Sequence, residues 1–441
     1  MKKRYLTGIV ITVLIAGTAV IQYPRLNIIS GYAAKNLCSC MYLSGRTKES
    51  VIREDNNFPP VRIAKYQTAT AGQSVTASVF GMMPRTAVFQ EDIGCRLITP
   101  EGKLPENPPF PVPHNCPPPA PYPQGNLAPV DTVFAEVDYE ALHRSIDRAF
   151  APEHRTRAVV VLYKDHLVAE RYAPGFDRET PILGWSMSKS VLATLYGILQ
   201  KKNLIDLKDS SLFPEWANDK RKSIDLKDLL QMQSGLEWSE DYTKISDVTR
   251  MLFLEEDMAE VQRQKKLSYP PGTHWYYSSG TTNLLSGYMR GIFEDYQQYL
   301  DFPVVELYDK LGMPTAITEM DLSGNYVYSS YTWMSPRDWA KLGLLYLHEG
   351  NWFGEQIIDS TWVSFVSTPN GHSNGRYGAH FWLNAGGLLP DVPVDTYSMD
   401  GYQGQRVYII PSRQTVIVRM GLNEEVDFNA LVSGILKAFH E

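Results

Sequence analysis

From Ser186 onward, apolar residues fall at Met187, Val191, Leu192, Leu195, Ile198 and Leu199, and the run closes on Lys201 and Lys202. That spacing is helical, and the two lysines suit the negative end of a helix dipole. Three other stretches predict helices. "SIDLKDLLQMQSG" is a short one stopped by Gly235. "SPRDWAKLGLLYLHEG" opens on a Ser335-Pro336 cap and stops at Gly350, and "DFNALVSGILKAFHE" is amphipathic near the C-terminus. Strand patterns bracket these helices. "RAVVVLYKDHLVAERYAPGF" (157–176) predicts a hairpin turning at Lys164–His166. "GQRVYIIPSRQTVIVRMG" (404–421) predicts another turning at Pro411–Arg413. Strand pairs near both ends, with helices between, predict an α/β (α+β) fold. It would have an antiparallel sheet flanked by helices, with a mainly helical lobe beside it.

The first third has a different texture. Residues 31–103 read as a small β-rich extension, with rough alternation in "VRIAKYQ", "SVTASVF" and "RTAVFQ". Residues 104–129 hold eleven of the 29 prolines, which makes an extended, semi-rigid strap or linker. Residues 130–441 carry the two hairpins and the helices between them. At the very start, Lys2–Arg4 precede an uncharged apolar run that lasts to Arg25. As a helix it is long enough to cross a bilayer, with the basic flank on the cytoplasmic side. Residues 1–30 are therefore expected to be a membrane anchor, or alternatively a cleaved signal segment. The remainder would be extracytoplasmic, or secreted after cleavage.

Composition narrows the possibilities. The 441 residues are 44% hydrophobic with a net charge of −7, enough for a large core. Charges of both signs are dispersed, and no basic block marks a nucleic-acid partner. The four cysteines, Cys38, Cys40, Cys95 and Cys116, all lie in the first third. An even count in an exported chain suggests disulfides. Cys38 and Cys40 are too close to pair, so each is expected to reach Cys95 or Cys116. No histidine cluster accompanies the C-x-C pair, so a metal site there is not expected.

The chemistry begins at Ser186 and Lys189. At i and i+3 of a helix start they share one face. Burial and the helix N-terminus both favour a neutral lysine, which a base must be, and serine is a weak nucleophile until its proton is taken. Alone, S-x-x-K is weak, since roughly one match is expected by chance in a chain this long. Ser186 could also be a plain N-cap. The string Gly184-Trp185-Ser186-Met187-Ser188 lacks the second glycine of a hydrolase elbow. His274 and His380, the candidates for a Ser-His-Asp triad, read as packed or surface residues.

Two further stations change the weight of that pair. "YPPGTHWYYSSGTTNLLSG" (269–287) carries Tyr277-Ser278-Ser279 ahead of a leucine-rich helix. "YSMDGYQGQRVYIIP" (397–411) is a glycine-rich entry into a strand. With "LLQMQSGLEW" and "RDWAKLGLLYLHEG", these stations in this order resemble the serine β-lactamase and penicillin-recognising superfamily. The pattern is S-x-x-K, then Y-x-N or Y-x-S, then a strand with K-T-G or H-x-G. The resemblance is greatest to its class C-like branch and to 6-aminohexanoate-dimer hydrolases, and covers about residue 130 to the C-terminus.

The resemblance implies a serine hydrolase of small esters or linear amides that needs no metal or organic cofactor. Ser186 would be acylated, Lys189 and Tyr277 would carry the protons, and the N–H groups of Ser186 and of Tyr402, after Gly401, would form the oxyanion hole. Tyr242, in "SEDYTK", would line the substrate cleft. The third motif departs from the pattern. Met399 stands where a lysine or histidine would hold a β-lactam carboxylate, and Asp400 would repel one if it faced the site. A D,D-peptidase, a true β-lactamase and a non-catalytic scaffold remain the competing readings. Oligomeric state is not legible.

Overall fold

The computed structural model describes residues 23–440, apart from Asn107 and Pro118. The apolar run proposed as an anchor lies mostly at residues 1–22, outside the described residues. Among the described residues, no helix is long and apolar enough to cross a membrane.

The chain divides into two compact units. One runs to Glu106 and takes in Ser239–Asp257 and Asp321–Gly324. The other comprises Asn107–Trp238, Met258–Met320 and Asn325–Glu441. In the first unit, the expectation of strands from residue 31 is corrected. Residues 23–42 are helical, and Lys48–Arg53 form a second helix. The reason lies in the spacing. Ala33, Ala34, Leu37 and Cys38 are fully buried, which is helical periodicity that alternation templates miss. The strands begin later, as an antiparallel meander of Ala64–Ala69, Ser74–Val79, Met82–Gln90 and Gly94–Leu97.

The disulfide expectation is half corrected. Cys38 and Cys95 are bonded, tying the first helix to the last strand of the meander, whereas Cys40 and Cys116 form no disulfide among the described residues. Cys40 is buried within its own unit, its Sγ 3.8 Å from Asn36 Oδ1 and 3.9 Å from Asp55 Oδ1. Cys116 belongs to the other unit.

The larger unit is built on a six-stranded antiparallel sheet. Its order is Trp382–Leu383, Tyr397–Gly401, Gln405–Ile410, Thr415–Gly421, Thr156–Tyr163 and His166–Tyr172. Both predicted hairpins are present. Lys164 and Asp165 turn the first at positive φ, 45° and 65°, the geometry that matches strand twist. Pro411–Arg413 turn the second.

Helices cover both faces. Tyr139–Ala149 and Phe428–Leu436 share a core with Val159, Val161, Tyr408 and Ile417. Pro336–Leu347, capped by Ser335, lies on the other face. There a Cβ on Gly343 would come within 2.8 Å of Val407 and Val416, so the helix sits unusually close to the sheet. The helical lobe comprises Leu226–Leu230, Met258–Arg263, Ser279–Arg290 and Tyr296–Pro303. The helix predicted to stop at Gly235 ends earlier, at Leu230, because Met232 takes φ +58°. Gly235 serves a different need, since a Cβ there would lie 2.1 Å from the carbonyl oxygen of Tyr269.

The proline-rich segment is a strap bound to this unit. Val112 N–H donates to Asp301, Asn115 N–H to Asp309 and the Asn126 amide to Gly312 O, at 2.8–3.0 Å. Buried Tyr122 donates to Arg337 O at 3.1 Å.

Candidate active site

The nucleophile candidate sits at a strained junction. Gly184 follows the short strand Ile182–Leu183, Trp185–Met187 form one 3-10 turn, and the α-helix Ser188–Lys201 comes next. Trp185 adopts φ +49°, a left-handed conformation costly for a bulky side chain. Three contacts hold it there. Its indole N–H donates to Gln403 Oε1 at 3.2 Å. Its ring meets Tyr402 edge-on at 5.6 Å, and its carbonyl accepts from Ser188 Oγ at 2.6 Å. Ser188 Oγ also accepts from Thr332 N–H at 2.9 Å, which fixes the turn against the neighbouring strand Thr332–Met334.

Ser186 emerges from this turn partly exposed, while Lys189 below it is 1% exposed. Lys189 Nζ lies 3.0 Å from Ser186 Oγ, 3.1 Å from Ser279 Oγ and 2.8 Å from Ser329 O. An ammonium has three donors, and Ser186, Ser279 and Ser329 each offer it an acceptor. A neutral amine has two N–H bonds and one lone pair. It can keep Ser279 and Ser329 as acceptors while its lone pair takes the Ser186 proton. The same cage therefore serves both charge states, which a proton carrier requires.

Tyr277 is half-buried at the start of the helix Ser279–Arg290, which Ser278 caps through Thr281 N–H. Lys189 Nζ stands 4.9 Å from the centre of the Tyr277 ring. Trp382 and Tyr377 flank that ring at 5.4 and 6.0 Å. The first two sequence stations therefore meet around a single ammonium.

The third station closes against the first. Gly401 ends the strand Tyr397–Gly401, and a Cβ there would lie 2.0 Å from the carbonyl oxygen of Gly184. Only glycine lets the two backbones approach so closely. Tyr402 follows directly, half exposed. The turn behind it is held by Arg419, fully buried, which donates to the carbonyls of Gln403, Gly404, Asn423 and His154 at 2.7–3.0 Å. Met399 is fully buried, and Asp400 is spoken for by Ser398 Oγ at 2.6 Å and Arg406 Nε at 3.2 Å.

His380 is a packed residue. One ring nitrogen lies 2.7 Å from Leu230 O and the other 3.1 Å from Thr282 Oγ1. Burial, assisted by the Lys189 charge, lowers its pKa to about 3 despite the raising effect of the Leu230 bond. His274 stacks on Tyr269 at 4.1 Å. Tyr242 belongs to the other compact unit, where it is exposed and its hydroxyl donates to Glu240 at 3.2 Å. Sequence reasoning missed Ser279, although it stands third in Tyr-Ser-Ser. It also missed the Ser329 carbonyl, which no side-chain pattern can signal.

A serine that follows the strained Trp185 and contacts a buried lysine, with a tyrosine beside that lysine and a glycine strand alongside, marks a definite class. The family model described as Beta-lactamase matches residues 147–423, and the chain belongs to that family. A 6-aminohexanoate-dimer hydrolase of Paenarthrobacter ureafaciens is 23% identical over 315 residues, 64% of this chain and 77% of that protein. A putative 6-aminohexanoate-dimer hydrolase from Bacillus anthracis superposes with TM-score 0.55 at 22% identity, covering 65% of this chain and 79% of that one. EstCE1, a hydrolase with promiscuous acyltransferase activity, gives TM-score 0.55 at 14% identity, covering 69% and 99%. The fold is accordingly the mixed α/β, β-lactamase-like one with antiparallel sheets.

Proposed function

We propose that this chain is a serine hydrolase that cleaves small esters or linear amides through an acyl-enzyme on Ser186. The observation that carries the reading is the 3.0 Å contact between Ser186 Oγ and a lysine whose other two partners are already in place. In acylation, neutral Lys189 takes the Ser186 proton as Oγ attacks the carbonyl carbon. The carbonyl π electrons move to oxygen, where the N–H groups of Ser186 and Tyr402 stabilise the negative charge. As the tetrahedral species collapses, the bond to the leaving group breaks, and Tyr277 hands that group a proton and recovers one from Lys189. Water then repeats the sequence, releasing the acid and restoring Ser186.

Met399 and the Arg406-paired Asp400 offer no cation for a β-lactam carboxylate, which favours ester and amide substrates over β-lactams. The 23%-identical dimer hydrolase makes a linear amide the first substrate to try. The Cys38–Cys95 disulfide supports an oxidising, extracytoplasmic location, with the apolar N-terminal run as anchor.

Wild type and Ser186→Ala are compared on p-nitrophenyl acetate and butyrate, with intact masses taken after fluorophosphonate treatment. A burst and one mass adduct, both lost in Ser186→Ala, are expected. Folded wild type with neither adduct nor turnover overturns the reading in favour of a scaffold.

A further inference from the structure

Three ligand-type side chains meet within the larger unit, outside the residues of the candidate active site. His114 and Cys116 come from the proline-rich strap, and Asp309 follows the turn Val304–Tyr308. One ligand atom from each lies within 4.8 Å of the other two. Tetrahedral bonds of ~2.0–2.3 Å place ligand atoms roughly 3.3–3.8 Å apart, so small side-chain rotations bring all three into range.

The surroundings are arranged as for ligands. His114 Nε2 lies 3.0 Å from Ala316 O. A carbonyl only accepts, so Nε2 carries the hydrogen, and in the neutral ring Nδ1 presents a lone pair. Yet Nδ1 faces Asp309 Oδ1 at 2.9 Å, which sets two acceptors against each other. A cation between them, or a second ring proton, resolves the conflict. The other carboxylate oxygen, Oδ2, accepts from Asn115 N–H at 2.9 Å, leaving Oδ1 for the site. This is the outer hydrogen bonding that orients metal-bound histidine and carboxylate. His114 and Cys116 both bring a ligand atom within reach of Asp309. Pro113 and Pro117 flank them and limit the strap's freedom. His114 and Asp309 side chains are 27% and 13% exposed, which leaves an approach for water as a fourth ligand.

We propose that His114, Cys116 and Asp309 bind a zinc-class dication through Nδ1, Sγ and Oδ1, clipping the strap to the hydrolase unit. The thiol releases its proton to solvent as the metal–sulfur bond forms. A thiolate with imidazole selects Zn²⁺ over oxygen-seeking Mg²⁺ or Ca²⁺. The sequence reading expected no metal because it considered only the C-x-C pair at Cys38 and Cys40.

The test uses the full-length protein, treated with chelator and titrated with Co²⁺ alone. One equivalent is expected to produce a near-ultraviolet thiolate-to-cobalt band that Zn²⁺ displaces. The band should vanish in Cys116→Ser and persist in Cys40→Ser. His114→Ala and Asp309→Asn should each weaken binding more than the ~10–100-fold typical of losing an outer partner. Thermal melts in chelator should match wild type for Cys116→Ser, which separates ligand loss from misfolding. No band in wild type, a band unchanged in Cys116→Ser, or full affinity in both His114→Ala and Asp309→Asn overturns the proposal. The last two results would leave His114 and Asp309 as a plain ion pair.

Discussion

Gly401→Ala tests whether the approach of the third station to the nucleophile turn sets the catalytic geometry. Gly401 has φ −133° and ψ 157°, which any residue adopts, so alanine brings no backbone strain. The whole effect is steric. Its Cβ would stand 2.0 Å from Gly184 O, whereas real Cβ atoms essentially never come under 3.0 Å. The strand end and the turn must therefore part by about 1 Å. That displacement moves the Tyr402 N–H relative to Ser186 and so disrupts the proposed oxyanion site. Misplacement of about 1 Å costs on the order of 100-fold in rate, equivalent to ~2.7 kcal/mol in the barrier. The assay is kcat/KM on p-nitrophenyl butyrate with a thermal melt in parallel. Gly371→Ala serves as control, because a Cβ there meets nothing within 4 Å. The expected result is a fall of about 100-fold in Gly401→Ala, with the control unchanged. A rate within threefold of wild type refutes the assignment of Gly401 and Tyr402 to the oxyanion site.

Ser279→Ala removes one of the three Lys189 acceptors. A hydrogen bond to a charged group contributes ~1.5–3 kcal/mol, so kcat should fall roughly 10- to 150-fold with little change in KM, read by steady-state kinetics. His380 has its pKa lowered to about 3 from the ordinary 6.5, so between those values the unfolded chain binds the extra proton. The stability it contributes is complete above about pH 6.5 and is lost as pH falls toward 3. Denaturant melts at pH 7 and pH 4.5 should show that loss in wild type and a shallower one in His380→Gln, and equal slopes would refute it. The Cys38–Cys95 bond closes a loop of 57 residues, worth about 4 kcal/mol in chain entropy. Alkylation in denaturant without reductant should label only Cys40 and Cys116, and Cys38→Ser with Cys95→Ser should make the N-terminal unit markedly more sensitive to protease.

Much of the larger unit is legible because its signals are local. Lys164-Asp165 and Pro411–Arg413 announce their turns, and Ser335 and Asp427 announce their helices by capping. The i, i+3 spacing lets Ser186 and Lys189 share a face, but the pair stands out only together with the Tyr277 and Gly401 stations. What escapes reading depends on tertiary contact. Ser279 becomes a lysine ligand only when its helix packs beside Ser188–Lys201, and the Ser329 carbonyl has no residue signature. The positive φ of Trp185 is held by Gln403, over two hundred residues away. The first unit misleads for another reason. Its alternating segments are true strands, but the small-residue helix before them, buried through Ala33 and Ala34, has too little polar contrast to stand out.

The sheet order carries a consequence for how the chain is made. Thr156–Tyr163 pairs with Thr415–Gly421, and Arg419 Nε reaches Thr156 Oγ1 across 263 residues. The central strands of the sheet thus come from opposite ends of the domain. During synthesis the early hairpin must wait, with an open edge of Val159, Val160 and Val161, until Gly421 has left the ribosome. Such long-range pairing is slow to form and exposes a strand that invites association with other chains. A chain released before about residue 421 would retain Ser186, Lys189 and Tyr277 yet lack the strand that joins the two halves of the sheet.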